Sequence, residues 1–173
     1  SPNDNVYISP YGDYTEDLTI FQNINLYSSS SGVSFSVIGT LTVTGTPNME
    51  VNIVGGVFSG NFLANTGSAG INTKANIYLV ESSFNQITSH DNMEMHVLFC
   101  DSPNMSVSIE HGEVRGCKLL SVRVNDGPNV GIGDTVFVIG NIFLGVNSIY
   151  WYNDDNYFFI ANNYVNPPAS NYW

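Results

Sequence analysis

Five side chains in the sequence could supply acid–base chemistry. They are four carboxylates and one imidazole: Glu81, Glu110, His111, Glu113 and Asp134. Hydrolysis of a glycosidic bond needs two carboxyl groups across the sugar, about 5.5 Å or about 6.5 to 9.5 Å apart. Serine-histidine and cysteine-histidine nucleophile motifs, Gly-rich phosphate loops and HExxH do not occur in the sequence. The five residues are therefore candidates for a polysaccharide-cleaving site, although a solvated charge ladder explains them with fewer assumptions.

Three aromatic residues are followed closely by two carboxylates in a short segment near the C-terminus, between residues 150 and 156. Aromatic rings offer flat apolar faces to the C–H groups of sugars, and carboxylates accept hydrogen bonds from hydroxyls. Core or cap packing is the alternative role for these rings. The ligand-binding residues that this composition predicts are Tyr150, Trp151, Tyr152, Asp154 and Asp155.

A repeated strand pattern must position these side chains. The pattern has apolar residues at every second position, then two small or polar residues and a large apolar residue, and it returns at intervals of roughly 23 to 33 residues. A second alternating segment follows each copy, so one coil holds at least two strands. Glu81, His111 and Asp134 occupy the same turn position of the pattern, which predicts that they form a column. The anchor positions are Leu18, Val51, Ile77, Val107, Val130 and Tyr157.

Composition excludes several classes of function. The chain has 173 residues, 43% of them hydrophobic, which suffices for one domain with its own core. Its formal net charge of -11 argues against a nucleic-acid partner, because phosphate binding needs clustered cations. The same charge predicts that the aromatic segment contacts a neutral or basic partner. We expect no membrane insertion, cofactor or metal, since no apolar run of about 18 residues and no metal-ligand spacing occurs.

Two further features concern stability and assembly. Cys100 and Cys117 are too few for a disulfide framework, so free buried thiols are expected first and a disulfide second. The outward positions of the anchor strands form an apolar column, which predicts an interface between copies of the chain. A blurred assignment of inward and outward positions is the alternative. The predicted interface residues are Phe21, Val54, Val80 and Ile160.

The anchor strands, together with the corners Pro47-Asn48, Pro103-Asn104 and Pro128-Asn129, resemble the right-handed parallel β-helix, or pectin-lyase-like, family. The short coils are most similar to its bacteriophage tailspike and tail-fibre type. The fold expected is all-β, a single-stranded parallel β-helix of about six coils over residues 18–166. Residues 1–17 are expected to form an irregular N-terminal cap or connector, and residues 167–173 a C-terminal cap.

The resemblance implies a homotrimer on the virion surface, and therefore an extracellular location. The function that it implies is a non-enzymatic fibre or spike module, which attaches to a host cell-surface receptor such as a glycan. Two alternatives remain open. One is a β-helix enzyme that degrades polysaccharide as a hydrolase or lyase, and the other is a purely structural protein of an assembly.

Overall fold

A computed structural model describes residues 4–30, 33–44, 48–65, 75–89, 93–124, 135–145, 148–151 and 157–165. Within these ranges the chain forms parallel β-strands and no helix. This part of the chain accordingly contains no helix that is long and apolar enough to cross a membrane.

The strands are short and follow one another closely along the chain. The first eleven are β1 (Asp4–Ile8), β2 (Asp13–Tyr14), β3 (Leu18–Ile20), β4 (Ile24–Ser28), β5 (Phe35–Val37), β6 (Leu41–Thr44), β7 (Glu50–Val54), β8 (Gly56–Phe58), β9 (Asn61–Asn65), β10 (Ala75–Val80) and β11 (Gln86–Ser89). The remaining ten are β12 (Met93–Leu98), β13 (Ser106–Ile109), β14 (His111–Arg115), β15 (Lys118–Leu119), β16 (Ser121–Val124), β17 (Thr135–Ile139), β18 (Ile142–Phe143), β19 (Ile149–Trp151), β20 (Tyr157–Ala161) and β21 (Tyr164–Val165).

The strands stack into three faces around one core. Sheet 1 has eight strands in the order β1-β4-β7-β10-β12-β14-β17-β20, and sheet 2 has seven in the order β3-β6-β9-β11-β13-β16-β19. The third face holds two three-stranded sheets, β2-β5-β8 and β15-β18-β21. Each coil passes from sheet 1 across the third face to sheet 2, so the seven strands of sheet 2 belong to seven stacked coils, and six turns of the chain join these strands. The predicted all-β parallel solenoid of about six turns is confirmed.

The core follows from the period-two alternation of the strands. In β10 and β12 every second residue is buried, because adjacent side chains of a strand point to opposite faces. Large aromatic side chains fill the middle of the stack. The rings of Phe58 and Phe84 lie parallel with centroids 4.6 Å apart, and Phe35 and Phe62 pack edge-on against them. Each such buried ring stabilises the fold by about 1.5 to 3 kcal/mol.

A left-handed backbone conformation recurs where the coils leave sheet 1. The first five corner residues donate their backbone N–H to the last residue of the sheet 1 strand in the next coil, as Glu81 does to the carbonyl of Leu98 over 3.0 Å. Glycine and asparagine adopt this conformation easily, whereas bulkier side chains are strained in it. The column consists of Gly55, Glu81, Phe99, Gly116, Gly140 and Asn162, all with positive φ. We call it the left-handed corner column.

A buried polar ladder lies just inside these corners. The backbone N–H of Cys100 donates to Cys117 Sγ over 3.4 Å, and that of Cys117 donates to Asn141 Oδ1 over 2.9 Å. The N–H of Asn141 donates in turn to Asn163 Oδ1 over 2.9 Å. Side chains thus satisfy backbone groups that the bend removes from the sheets, which a buried corner requires.

The coil boundaries differ from those predicted in two respects. Residues 1–17 are not an irregular cap throughout, because β1 pairs with β4 and β2 pairs with β5. The anchors Leu18 and Val107 lie in sheet 2, whereas Val51 and Ile77 pair in sheet 1. The sequence pattern therefore mixed strands of two faces, since both faces alternate with the same period. Anchor Val130 and the predicted cap 167–173 lie outside the described residues.

Candidate functional site

The outer face of sheet 2 carries a row of polar side chains across four coils. In-register pairing stacks Thr88 on Ser108, Ser108 on Arg123 and Arg123 on Tyr150. Their strand neighbours, such as Val107, are buried, so the row points away from the core. Neighbouring strands lie about 4.8 Å apart, so the row spans about 14 Å.

These side chains surround a groove of about 420 Å³. Serine and threonine side chains are short, so they leave a depression between the longer side chains at its ends. The outward-facing residues that line the groove are Gln86, Thr88, Ser106, Ser108, Ser121, Arg123 and Tyr150.

Hydrogen bonds order the floor of the groove. Gln86 Nε2 donates to Thr88 Oγ1 over 3.2 Å, and Ser121 Oγ donates to Ser106 Oγ over 3.0 Å. A hydroxyl has one donor and two acceptor sites, so each of these oxygens can still accept or exchange a bond. The floor can therefore hydrogen-bond a polyhydroxylated ligand without carrying a formal charge.

A cation and an aromatic ring form one end of the groove. The guanidinium of Arg123 lies 5.8 Å from the ring centroid of Tyr150, within the range of a cation–π contact. The contact orders both side chains on the surface of the sheet. The pair then offers guanidinium N–H donors and a flat apolar surface next to each other, a combination suited to a sugar ring.

A second polar cluster lies on the outer face of sheet 1. The rings of Tyr78 and His96 stack with centroids 4.3 Å apart, and a hydrogen bond of 2.9 Å joins His96 Nδ1 to Glu113 Oε1. Arg115 Nη2 lies 3.0 Å from the other oxygen of Glu113, and Glu94 lies 3.8 Å from His96 Nε2. Each charged member of this cluster contacts another member.

The surroundings of Tyr78 make its hydroxyl hard to ionise. Burial raises the pKa of Tyr78, and the nearby carboxylates of Glu50, Glu94 and Glu113 raise it further. Both effects act because a phenolate would be poorly solvated and would face negative charge. The cluster is a self-paired charge ladder, because His96 contacts both of its carboxylates, Glu94 at 3.8 Å and Glu113 at 2.9 Å.

The predicted acid column does not form. Glu81 belongs to the left-handed corner column, whereas His111 begins β14 and pairs with Glu94 in sheet 1. His111 and its neighbour Glu110 are buried where β13 turns into β14. Glu81 and His111 occupy the same position of the sequence pattern but different places in the coil. The reason is that the anchor before Glu81, Ile77, lies in sheet 1, whereas the anchor before His111, Val107, lies in sheet 2. Asp134 lies outside the described residues.

The predicted ligand-binding segment is described only at its start. Tyr150 lies in β19 and lines the sheet 2 groove. The backbone of Trp151 pairs with that of Val124. Tyr152, Asp154 and Asp155 lie outside the described residues.

Two of the four residues predicted for the interface lie in one outward column of sheet 1. Val54 and Val80 pair in register and point outward from sheet 1, since their neighbours Ile53 and Leu79 are buried. Ile160 pairs with buried Val138, so its position faces the core side of the sheet, but in the last coil its side chain is 48% exposed. A one-residue shift in the assigned register of β20 caused this error, because it exchanges the two faces of a strand.

Phe21 follows β3 at the edge of sheet 2 and is exposed, so it lies away from Val54 and Val80. The outward column of sheet 1 that contains these two valines has three further apolar members. From the first coil to the fifth the column consists of Tyr7, Tyr27, Val54, Val80 and Leu98.

The cysteines match the first of the two expectations. Cys100 and Cys117 are free thiols, buried side by side in the corner ladder. The hydrogen bond that the Cys100 thiol donates to Cys117 and the burial of the site raise the pKa of Cys100. The thiols consequently act as small buried groups that satisfy the backbone.

Sequence reasoning missed most of the sheet 2 groove. Arg123 was not among the residues predicted to bind a ligand. The signal that was present is the alternation Ser121-Val122-Arg123, which repeats the pattern Ser106-Val107-Ser108 one coil earlier. Aligning these second segments with each other, as was done for the anchors, would have placed Arg123 beside Tyr150.

The described residues contain no group of three or more His, Cys, Asp or Glu side chains that could hold a metal ion. No family model, no curated protein and no solved structure matches this chain.

Proposed function

We propose that the chain is a non-enzymatic attachment module that binds a saccharide in the sheet 2 groove. The observation that carries this proposal is the composition of the groove. A hydrogen-bonded floor of hydroxyl and amide groups ends at the ordered pair of Arg123 and Tyr150. Sugar-binding sites need this combination of many neutral hydrogen-bonding groups and one flat aromatic surface.

The charge of the chain narrows the class of saccharide. The formal net charge is -11, so a polyanionic glycan would be repelled over the Debye length of about 8 Å at physiological salt. Among the described lining residues the groove carries one cation and otherwise neutral groups. A neutral glycan suits both observations best.

Catalysis is not part of this proposal. The described residues that line the groove include no carboxylate and no imidazole. The carboxylate Glu113 on sheet 1 is held by His96 and Arg115, at 2.9 Å and 3.0 Å. These two observations favour binding over catalysis. A polysaccharide-degrading enzyme is the alternative function, and a purely structural assembly protein is the third.

The apolar column of sheet 1 supports the assembly part of the proposal. Five consecutive coils present apolar side chains there, from Tyr7 to Leu98, and Tyr7 is 65% exposed. A homotrimer would cover such a column on every copy. In this proposal the trimer is a fibre or spike module on a virion surface, similar to the tailspike type of β-helix, and the sheet 2 grooves face a glycan of the host cell.

The test is a glycan-array screen run beside an assay for released reducing sugar. We expect saturable binding of a neutral glycan and no release of reducing ends. Thr88→Trp should abolish binding, because the indole would fill the groove, while Asn76→Trp on the outer face of sheet 1 should bind normally. Sugar release would contradict the non-enzymatic assignment, and undiminished binding by Thr88→Trp would contradict the position of the site.

A further inference from the structure

A second hollow lies at the corner where sheet 1 turns towards the third face. Its volume is about 400 Å³, and it is on a different face from the sheet 2 groove. One carboxylate, one aromatic ring and several serine hydroxyls line it, and the described lining includes no cation. The lining residues are Tyr27, Ser28, Ser30, Val33, Ser34, Val54, Gly55 and Glu81.

The carboxylate of this hollow comes from a residue in a strained backbone conformation. Glu81 belongs to the left-handed corner column with φ of 49°, where glycine or asparagine would be unstrained. Packing explains why Phe99, the next member of the column, adopts this conformation. Its ring lies over Gly116 and occupies the space that a Cβ at that position would need. Strain that packing does not explain is typical of residues whose side chains serve a function.

The side chain of Glu81 is available to a ligand. It is exposed, and within the described part of the chain it makes no hydrogen bond or ion pair. Its backbone N–H is already engaged with Leu98, so the carboxylate is not needed to satisfy the corner.

We infer that this hollow binds an amino sugar that carries a free ammonium group. The carboxylate of Glu81 pairs with the ammonium in a charge-assisted hydrogen bond. The hydroxyls of Ser28, Ser30 and Ser34 serve the hydroxyl groups of the sugar, and the ring of Tyr27 offers an apolar surface to its C–H groups. A lysine side chain would use the carboxylate but not the three serines, so the amino sugar accounts for more of the lining.

Calorimetric titration with D-glucosamine tests this inference. A ligand of this size is expected to bind with a Kd on the order of 1 mM. N-acetylglucosamine, which lacks the charge, should bind about tenfold more weakly or not at all. Glu81→Gln should weaken glucosamine binding by about tenfold with an unchanged melting temperature, because the backbone strain is the same. Glu50→Gln, which changes an exposed carboxylate outside the hollow, should leave binding unchanged.

Three results would overturn the inference: no saturable binding of glucosamine, equal binding of N-acetylglucosamine, or undiminished binding by Glu81→Gln. Equal binding of lysine amide would show that the serines are unused and would overturn the sugar assignment. Tyr150→Ala separates this site from the sheet 2 groove, since it should leave glucosamine binding unchanged. Loss of glucosamine binding in Tyr150→Ala would place the amino sugar in the groove instead.

Discussion

The outer faces of sheets 1 and 2 have the same backbone geometry but different surfaces. On sheet 1 the outward side chains are long and contact each other between coils, as Tyr78 does with His96 and His96 with Glu113. The outward side chains that line the sheet 2 groove are mostly hydroxyls, and at one end of the groove the long side chain of Arg123 lies against the ring of Tyr150. Side-chain length therefore decides whether a flat stack of parallel strands becomes a closed ladder or an open groove.

The difference also separates two kinds of partner. On sheet 1, side chains that pair with each other leave a flat face, and the adjacent apolar column from Tyr7 to Leu98 adds apolar surface to that face. A flat face with apolar surface suits contact with a second protein. Short hydroxyls leave polar groups exposed at the spacing of the strands, which suits a small hydroxylated ligand. Each of the following predictions changes one of the two faces, or the core that both share.

Gly112→Ala should have the largest effect, because it disrupts the core beneath both faces. Gly112 has φ of 110° and lies against the backbone of Met95, so an added Cβ would overlap the Met95 carbonyl oxygen. We expect a loss of about 4 kcal/mol or more in the free energy of unfolding, measured by urea titration. Gly55→Ala is the matched control, since its Cβ would meet nothing within 4 Å, and it should cost about 1 to 2 kcal/mol. Equal losses in the two variants would contradict the close contact at Gly112.

Val80→Asp tests the apolar column of sheet 1. If copies of the chain cover this column, a buried unpaired charge should weaken the assembly by about 3 to 5 kcal/mol. Light scattering should then show a trimer for the wild type and monomers for the variant. Thr88→Asp, at an outward position of sheet 2, should remain trimeric. A monomeric wild type would refute the proposed trimer.

The two faces were not equally predictable from the sequence. The alternation of β10 and β12 gave the fold and the outward direction of Val54 and Val80, because a strand pattern with period two is a local property. Which strand lies over which is not local, since coil length varies. Ile77 lies over Val51 after 26 residues, whereas Met95 follows Ile77 after 18. The prediction that Glu81 and His111 stack in one column was therefore wrong, and the contact between Arg123 and Tyr150 was not predicted.

Glu113→Gln sharpens the interpretation of the sheet 1 cluster as a ladder. The cluster is partly exposed and its members are held by several contacts, so we expect a loss of about 1 kcal/mol or less in the free energy of unfolding. The variant should not change any activity towards polysaccharides. Asp101→Asn, which removes the exposed pair with Lys118 at 3.5 Å, is the control and should be nearly neutral. Abolition of a measurable sugar release by Glu113→Gln would assign catalysis to sheet 1.

Tyr78→Phe should have the smallest effect, and it appears only at high pH. The pKa of Tyr78 is raised in the folded protein, so its contribution to stability is fully present below the unfolded value of about 10 and is lost as pH rises through the folded pKa. The urea midpoint of the wild type should therefore fall more between about pH 9 and about pH 11 than that of Tyr78→Phe. Identical pH profiles would contradict the burial and charge effects at this ring.

Saccharide affinity in two alanine variants tests the difference between the faces most directly. The neutral glycan selected by the array is titrated into the wild type, Tyr150→Ala and Tyr78→Ala, with melting temperatures recorded for all three. We predict that Tyr150→Ala weakens binding by about tenfold, since stacking and the ordering of Arg123 are lost together, while Tyr78→Ala binds like the wild type. Normal binding by Tyr150→Ala together with loss in Tyr78→Ala would place the saccharide on sheet 1 and contradict the proposed site.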